Sequence, residues 1–360
     1  MEGLLVFKEI EIQSYRGKYK VVFSELDFNN FKNIDETSFL VIDSKVDKLY
    51  PNIKENFEDN LVFVVEAIES NKTVGKCVEL LNKLVSSNFK RNHNIVAVGG
   101  GIIQDIVGFT SSVLYRGVNW TFVPTTLLSQ TDSCIGSKTS INFGDTKNLL
   151  GTFHPPKVIY CCHEFLNTLE ESEIRSGIGE MLHYFLVEGS QAAFDINDQY
   201  DTLFSDRSRL ENYIHESLTI KKKMITKDEF DQHERRVFNY GHTFGHAIEA
   251  ITNHKVPHGQ AVTIGMDIAN YVSYKMGNLK EDQYLNMSYF LKKNMPNFRL
   301  EESMIDSYIG LLKKDKKNIS NSITCILPYA FGDIRVEHVQ DIQFLKKTLI
   351  DYINLNEKRA

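Results

Sequence analysis

The chain has 360 residues, 42% of them hydrophobic and 24% charged, with a formal net charge of −6. This is the composition of a folded protein long enough for two domains with separate cores, and it lacks the compositional signs of disorder. The negative balance argues against bulk nucleic-acid binding, and no run of 18 or more apolar residues marks a membrane span.

The five cysteines (Cys77, Cys134, Cys161, Cys162 and Cys325) are odd in number and form no CxxC pair. They read as reduced thiols, and an opening without signal-peptide character agrees with an expected cytoplasmic location. Neither a nucleic-acid nor a membrane partner is expected.

In chain order, Leu5–Ile12 and Tyr19–Phe23 read as an antiparallel pair at a sheet edge. Phe39–Asp43, Leu61–Val65, Ile95–Val98 and Trp120–Val123 are short β-branched or aromatic runs, the pattern of buried parallel strands. An amphipathic helix over Thr73–Asn88 separates two of them, so the pattern is βαβ and predicts a doubly wound, mostly parallel sheet.

Gly99, Gly100 and Gly101 follow one strand and open a helix that contains Asp105. Such a turn lets backbone N–H groups approach phosphate, although a plain strand-to-helix turn has the same pattern. Asp43 ends the first strand, where a carboxylate can accept ribose hydroxyls; Thr125, Thr126, Asp132 and Ser133 follow another strand end. With no Walker-type GKS/T loop, NAD is preferred to ATP. Lys138, Lys147 and Asn148 then form a cationic run, either a solvated face or a set of anion contacts.

From about Glu170 the periodicity turns helical, over Ser172–Glu188, Arg207–Thr226, His233–Ile251 and Gly259–Met276. Ser322–Leu327 reads as one strand among them. The expected division is an α/β nucleotide-binding domain over 1–165 and a mainly α-helical metal-binding domain over 166–360, with the site in the cleft between them. The third helix, its stripe extended backwards past His233, would carry Asp231, Arg235, Asn239, His242 and His246 on one face. A stripe so polar cannot pack into an apolar core, and it predicts a metal site beside an anion pocket.

Val98–Asp105, Tyr115-Arg116-Gly117, Val123–Leu128, Asp132-Ser133, Gly136–Thr139, Lys147-Asn148, Glu180, Asn239–Glu249 and His258-Gly259, in this order, resemble the 3-dehydroquinate synthases and the wider sugar phosphate cyclases. The resemblance is firm over about Glu69–Met266. It implies a dehydroquinate synthase-like fold and Glu180, His242 and His258 as ligands of Zn2+ or Co2+, a donor set that leaves a coordination position open for substrate. It implies NAD contacts from Gly99, Gly100, Gly101, Asp105, Thr125, Thr126, Asp132, Ser133, Lys138, Lys147, Phe165, Thr168, Leu169 and Glu173, with Asp43, Glu69 and Lys72 as further candidates.

By the same resemblance, Lys138, Asn148, Lys221, Arg235, Asn239, His246 and Lys316 surround a small anionic sugar phosphate, and Arg116 enters from the second subunit of a homodimer. The implied reaction is a phosphate-eliminating lyase step of the shikimate pathway to the aromatic amino acids. An alcohol beside the metal is oxidised, phosphate leaves by β-elimination, the hydride returns, and ring opening and an aldol step close the carbocycle. NAD is regenerated each cycle.

Three departures from the family pattern stand out. His183 occupies the place of a lysine one turn after Glu180, Asp231 that of a glutamate, and Gln104 and Gln260 those of a glycine and a glutamate. Arg235 with Asn239 still favours an acidic substrate, 3-deoxy-D-arabino-heptulosonate 7-phosphate. A cyclase for another heptulose 7-phosphate, a metal-dependent polyol or alcohol dehydrogenase and a catalytically silent ligand-binding protein are the alternatives. Lys138, Lys147, Asn148 and Arg235 argue against the dehydrogenase, which needs no phosphate pocket. His183 is the one feature that favours the silent protein.

Overall fold

The computed structural model describes residues 8–25, 38–144, 146–314, 318 and 322–359. They form two compact units. One is built from residues up to Leu169 together with Arg207–Phe230, the other from Glu170–Asp206 and the residues from Asp231 onward. A single boundary near residue 165 was expected. Instead the chain crosses at 169/170, returns for 207–230 and leaves again.

The first unit contains β1 (Glu9–Ser14), β2 (Gly17–Phe23), β3 (Ser38–Asp43), α1 (Ser44–Leu49), β4 (Val62–Val65), α2 (Val74–Ser86), β5 (Asn94–Gly99), α3 (Gly101–Val113), β6 (Asn119–Pro124), β7 (Ile141–Phe143), β8 (Thr146–Leu150) and β9 (Val158–Cys161). Seven strands make one sheet in the order β1-β2-β9-β6-β5-β3-β4. All neighbours are parallel except β1 and β2, which pair antiparallel at the edge.

The burial patterns explain the order. In β1 exposed and buried residues alternate, as suits a strand with one wet face, whereas β3 is buried from Ser38 through Ile42. The helix between β4 and β5 starts where the Thr73 hydroxyl accepts from Lys76 N. The expected strands and this helix are present within a few residues of their predicted ends; Leu5–Phe7 lie outside the described residues. The segment read as a cationic run holds a hairpin of β7 and β8.

The chain then runs through α4 (Glu171–Glu188), α5 (Ala192–Asp198) and α6 (Thr202–Ser205) before α7 (Leu210–Lys227) rejoins the first unit. There the Ser217 hydroxyl donates to Thr131 O. The second unit continues with α8 (His242–Ile251), α9 (His258–Lys275), α10 (Glu281–Lys292), α11 (Ile305–Lys313), β10 (Ile323–Ala330), β11 (Asp333–Val339) and α12 (Ile342–Arg359). Its centre is α9, buried on every face from Gly259 to Ser273. Polar residues on such a helix need internal partners. Thr263 meets Asn294 at 2.8 Å, Asp267 accepts from the Tyr352 hydroxyl at 2.7 Å, and Asn270 accepts from the Tyr240 hydroxyl.

The expectation of one helix over His233–Ile251 is corrected. Glu234–Asn239 is a separate 3-10 turn, Asp231 has φ +57, and α8 begins only at His242. The break is Gly241 at φ +79, where a Cβ would lie 2.5 Å from Met266 Cγ and 2.8 Å from Val262 O. Asp231, Arg235 and Asn239 therefore do not share a helix face with the two histidines. The strand expected near Ser322–Leu327 is one arm of an antiparallel hairpin whose partner, β11, was not anticipated.

Candidate metal centre and nucleotide turn

Three helices of the second unit meet through glycines that flank the candidate ligands. Gly179 precedes Glu180 on α4 and Gly259 follows His258 on α9, and a Cβ on either would overlap the other helix's backbone. Gly259 N also donates to the Ser176 hydroxyl at 3.0 Å. Backbones this close bring side chains from α4, α8 and α9 to one point.

At that point Glu180, only 2% exposed, places Oε1 3.1 Å from His258 Nε2 and 3.6 Å from His242 Nε2. One donor atom from each of the three lies within 4.8 Å of the others. The remaining ring nitrogens are engaged: His242 Nδ1 lies 3.2 Å from Tyr240 O, and His258 Nδ1 lies 3.1 Å from Glu249 Oε2. This is how ligating imidazoles are oriented, with the second nitrogen on an oxygen and the first turned to the metal.

The residues fit a cation on independent grounds. Glu180 Oε1 is buried and receives no well-directed hydrogen bond. Burial alone would lower the His258 pKa, yet Glu180 and Glu249 together hold it well above the ordinary histidine range. Two carboxylates around one imidazole favour positive charge at this point, which a proton or a divalent ion can supply. Glu249 is itself held below the usual carboxylate range, because His258 and neighbouring imidazoles outweigh the burial that pushes it up.

His183 is enclosed, at 1% exposure, with Nδ1 3.6 Å from Glu180 Oε2 and its ring against Tyr184, Phe238 and His242. It approaches Glu180 through Oε2, whereas the two histidines approach Oε1. Arg235 is buried and Asn239 half-buried on the 3-10 turn, and Asn239 Nδ2 donates to Arg236 O at 3.1 Å. His246 is exposed one turn after His242, their rings 5.5 Å apart.

In the first unit, Gly100 is the N-cap of α3 and gives the first turn no side-chain hydrogen bond, and the N–H groups of such a turn can take an anion as partner. Thr125 N donates to Gly99 O at 3.0 Å, and Thr126 is fixed by Ser129. Beside this turn the structure gathers Glu69, Lys72, Asp105 and Asn148. Lys72 Nζ lies 3.1 Å from Asp105 Oδ2, 2.6 Å from Asn148 Oδ1 and 3.7 Å from Glu69 Oε1. Burial pushes the Asp105 carboxyl up to about 6, against the pull of Lys72.

Asp132 and Ser133 lie on a π-helical turn, a form often found at functional positions. Lys221 reaches from α7 to Asp132, 2.6 Å from its carbonyl and 2.8 Å from its carboxylate. Gln104, which stands where the family pattern has a glycine, is buried and exchanges two 2.6 Å hydrogen bonds with Ser133.

Other candidates are differently engaged. Asp43 Oδ1 caps α1 through Lys45 N, Phe165 packs in the core against Tyr50, Thr168 is exposed and Leu169 is half-buried. Glu173 closes the cap of α4. Lys138, Lys147 and Arg116 are exposed, and Lys316 lies outside the described residues. Glu249 and Gln104 were not among the predicted site residues. Glu249 stood inside the quoted motif, but nothing in its spacing showed that it would reach His258.

Residues 62–176 match the 3-dehydroquinate synthase N-terminal domain and residues 177–318 the 3-dehydroquinate synthase C-terminal domain. A 3-dehydroquinate synthase from Thermoanaerobacter sp. (strain X514) is 33% identical over 94% of this chain and 98% of its own length. Those from Dictyoglomus thermophilum and Helicobacter pylori are 36% and 35% identical, covering 88% and 91% of this chain and 90% and 95% of theirs.

Among solved structures, a 2-deoxy-scyllo-inosose synthase complexed with carbaglucose-6-phosphate, NAD+ and Co2+ shares the fold at TM-score 0.85 and 22% identity, covering 96% of this chain and 99% of that one. A 2-epi-5-epi-valiolone synthase from Streptomyces hygroscopicus subsp. jinggangensis 5008, with NAD+ and Zn2+ bound, does so at 0.79 and 24%, covering 94% and 97%. Both halves of the family profile are matched in order, relatives align over nearly their whole length, and the carboxylate and imidazoles converge as a metal-dependent enzyme requires: the chain belongs to the 3-dehydroquinate synthase family.

Proposed function

We propose that the chain converts 3-deoxy-D-arabino-heptulosonate 7-phosphate into 3-dehydroquinate and phosphate, with NAD and one divalent cation. The convergence of Glu180, His242 and His258 carries this reading, and Arg235 with Asn239 on the adjoining turn supports an acidic substrate. When bound, NAD accepts and later returns a hydride, while the cation, zinc or cobalt, stabilises negative charge developing on the substrate oxygen.

The chain's own residues do the rest. Glu180, His242 and His258 would hold the cation, and the turn at Gly99–Gly101 with the N-terminus of α3 would take the pyrophosphate of NAD. Asp105, Lys72, Glu69, Thr125, Thr126, Asp132, Ser133 and Lys147 would line the nucleotide. Lys138, Asn148, Lys221, Arg235, Asn239 and Lys316 would offset the carboxylate and phosphate charges and hold the substrate through successive steps. His246 presents an exposed imidazole that can take the proton whose removal lets phosphate leave.

A homodimer fits the exposed turn at Val113, Tyr115 and Arg116, where two consecutive residues are left-handed (φ 51 and 65). Arg116 would enter the partner's site from it. Five unbridged, buried cysteines suit the cytoplasm.

The test is phosphate release from 3-deoxy-D-arabino-heptulosonate 7-phosphate with catalytic NAD and zinc, alongside detection of the cyclic product. Stoichiometric phosphate and dehydroquinate without net NADH are expected, with metal and turnover lost together in His242→Ala. No release would move the reading to another sugar phosphate, starting with sedoheptulose 7-phosphate; net NADH from an alcohol would favour a dehydrogenase.

A further inference from the structure

We infer that Glu249 is a positioning residue of the metal centre, holding the His258 ring so that Nε2 faces Glu180. The inference rests on the proposal that Glu180, His242 and His258 bind the cation. Glu249 lies on α8 one turn after His246, with its side chain 15% exposed. Its Oε2 is 3.1 Å from His258 Nδ1, and the same ring's Nε2 is 3.1 Å from Glu180 Oε1.

His258 needs such a partner. It is the first residue of α9, its side chain is 33% exposed, and the helix start has no side-chain cap. The buried packing that fixes the rest of α9 begins only at Gly259. Among the described residues, the polar contacts of the ring are the carboxylates of Glu180 and Glu249. A carboxylate on Nδ1 fixes the tautomer and the ring plane and makes Nε2 a stronger donor, and losing such a partner typically weakens metal binding about 10- to 100-fold.

A rival arrangement has Glu249 as a ligand. His246, Glu249 and His258 also offer three donors within 4.8 Å. A second ion there would need His258 Nδ1 stripped of the proton it shares with Glu249 while Nε2 serves the first ion. The 3.1 Å hydrogen bond favours the orienting role.

The experiment titrates Zn2+ against a chromophoric chelator and records the visible spectrum of the Co2+ form, for the unaltered chain and for E249A, E249Q and H242A. One ion per chain is expected, bound about 10- to 100-fold more weakly in E249A with an altered cobalt spectrum. E249Q, whose amide oxygen can still accept from Nδ1–H, should recover much of the affinity and the original spectrum. Unchanged affinity and spectrum in E249A, while H242A loses the ion, would overturn the inference and leave the metal reading intact. Equal zinc binding by the unaltered chain and H242A would instead remove the metal reading itself. Two ions in the unaltered chain and one in E249A would also overturn the positioning role, by making Glu249 a ligand.

Discussion

Lys72 and Asp105 were both single candidates in the sequence, 33 positions apart, and nothing in their spacing joined them. In the structure they form an ion pair at 3.1 Å, Lys72 at 9% side-chain exposure and Asp105 at 18%. Burial raises the carboxyl from its ordinary 3.8 to about 6 even with Lys72 beside it. The sign of the consequence follows. Between those values the folded chain keeps a proton that the unfolded chain has released, so this group's contribution to stability falls as pH rises from about 4 to about 6. Two pKa units correspond to at most about 3 kcal/mol, reduced by the residual exposure. The stability difference between the unaltered chain and Asp105→Asn should therefore shift toward the variant between pH 4 and pH 7, measured by urea unfolding. An identical difference at both pH values would show that the carboxyl is not raised. His183 makes a related point. A histidine in place of a lysine reads in sequence as a lost fixed cation or, one turn after Glu180, as a group on the same face; the structure encloses it with Nδ1 3.6 Å from Glu180 Oε2 and its ring against His242.

Elements were legible where periodicity was unbroken. β3, β5 and β6 are continuous apolar runs and α2 is amphipathic, so each was placed within a few residues. The helix expected over His233–Ile251 failed because the polar positions continue a helical spacing through Gly241, where the backbone turns left-handed. Spacing reports periodicity, whereas the close approach of Met266 and Val262, which leaves no room for a side chain at Gly241, is a contact with another helix. β11 was missed because its residues pair only with β10. The glycines of the motif carry the element-scale prediction. Gly259→Ala should drive a methyl group into the Ser176 carbonyl, cost about 2 kcal/mol or more and weaken zinc binding, because α4 and α9 carry Glu180 and His258. Gly310→Ala is the matched control. It lies in α11 with open space around its Cβ position, and should stabilise by about 0.5–1 kcal/mol. Equal urea midpoints for the two variants would refute close packing at Gly259.

At the scale of the whole molecule, the nucleotide candidates Gly99–Gly101, Asp105, Asp132 and Ser133 belong to the first unit, and Glu180, His242 and His258 to the second. Each ligand should therefore protect its own unit. Zinc at a hundredfold excess over its Kd should stabilise the second unit by about 2.7 kcal/mol, and NAD at the same excess the first. Hydrogen exchange resolved by segment reads this. Zinc should slow exchange in α4, α8 and α9, and NAD in α3 and the turn before it. Protection by zinc confined to the first unit would contradict the assignment.

The sequence by itself determined the parallel sheet, the helical second half, the glycine turn and the family, and it singled out Glu180, His242 and His258, which the structure brings together. These follow from local periodicity and from motifs in fixed order, which need no knowledge of distant neighbours. Tertiary structure alone decided that α7 joins the first unit, that Gln104 locks Ser133, and that Glu249 faces His258. Each depends on where a side chain points once separate segments pack, and that direction is set by close contact between backbones far apart in the chain.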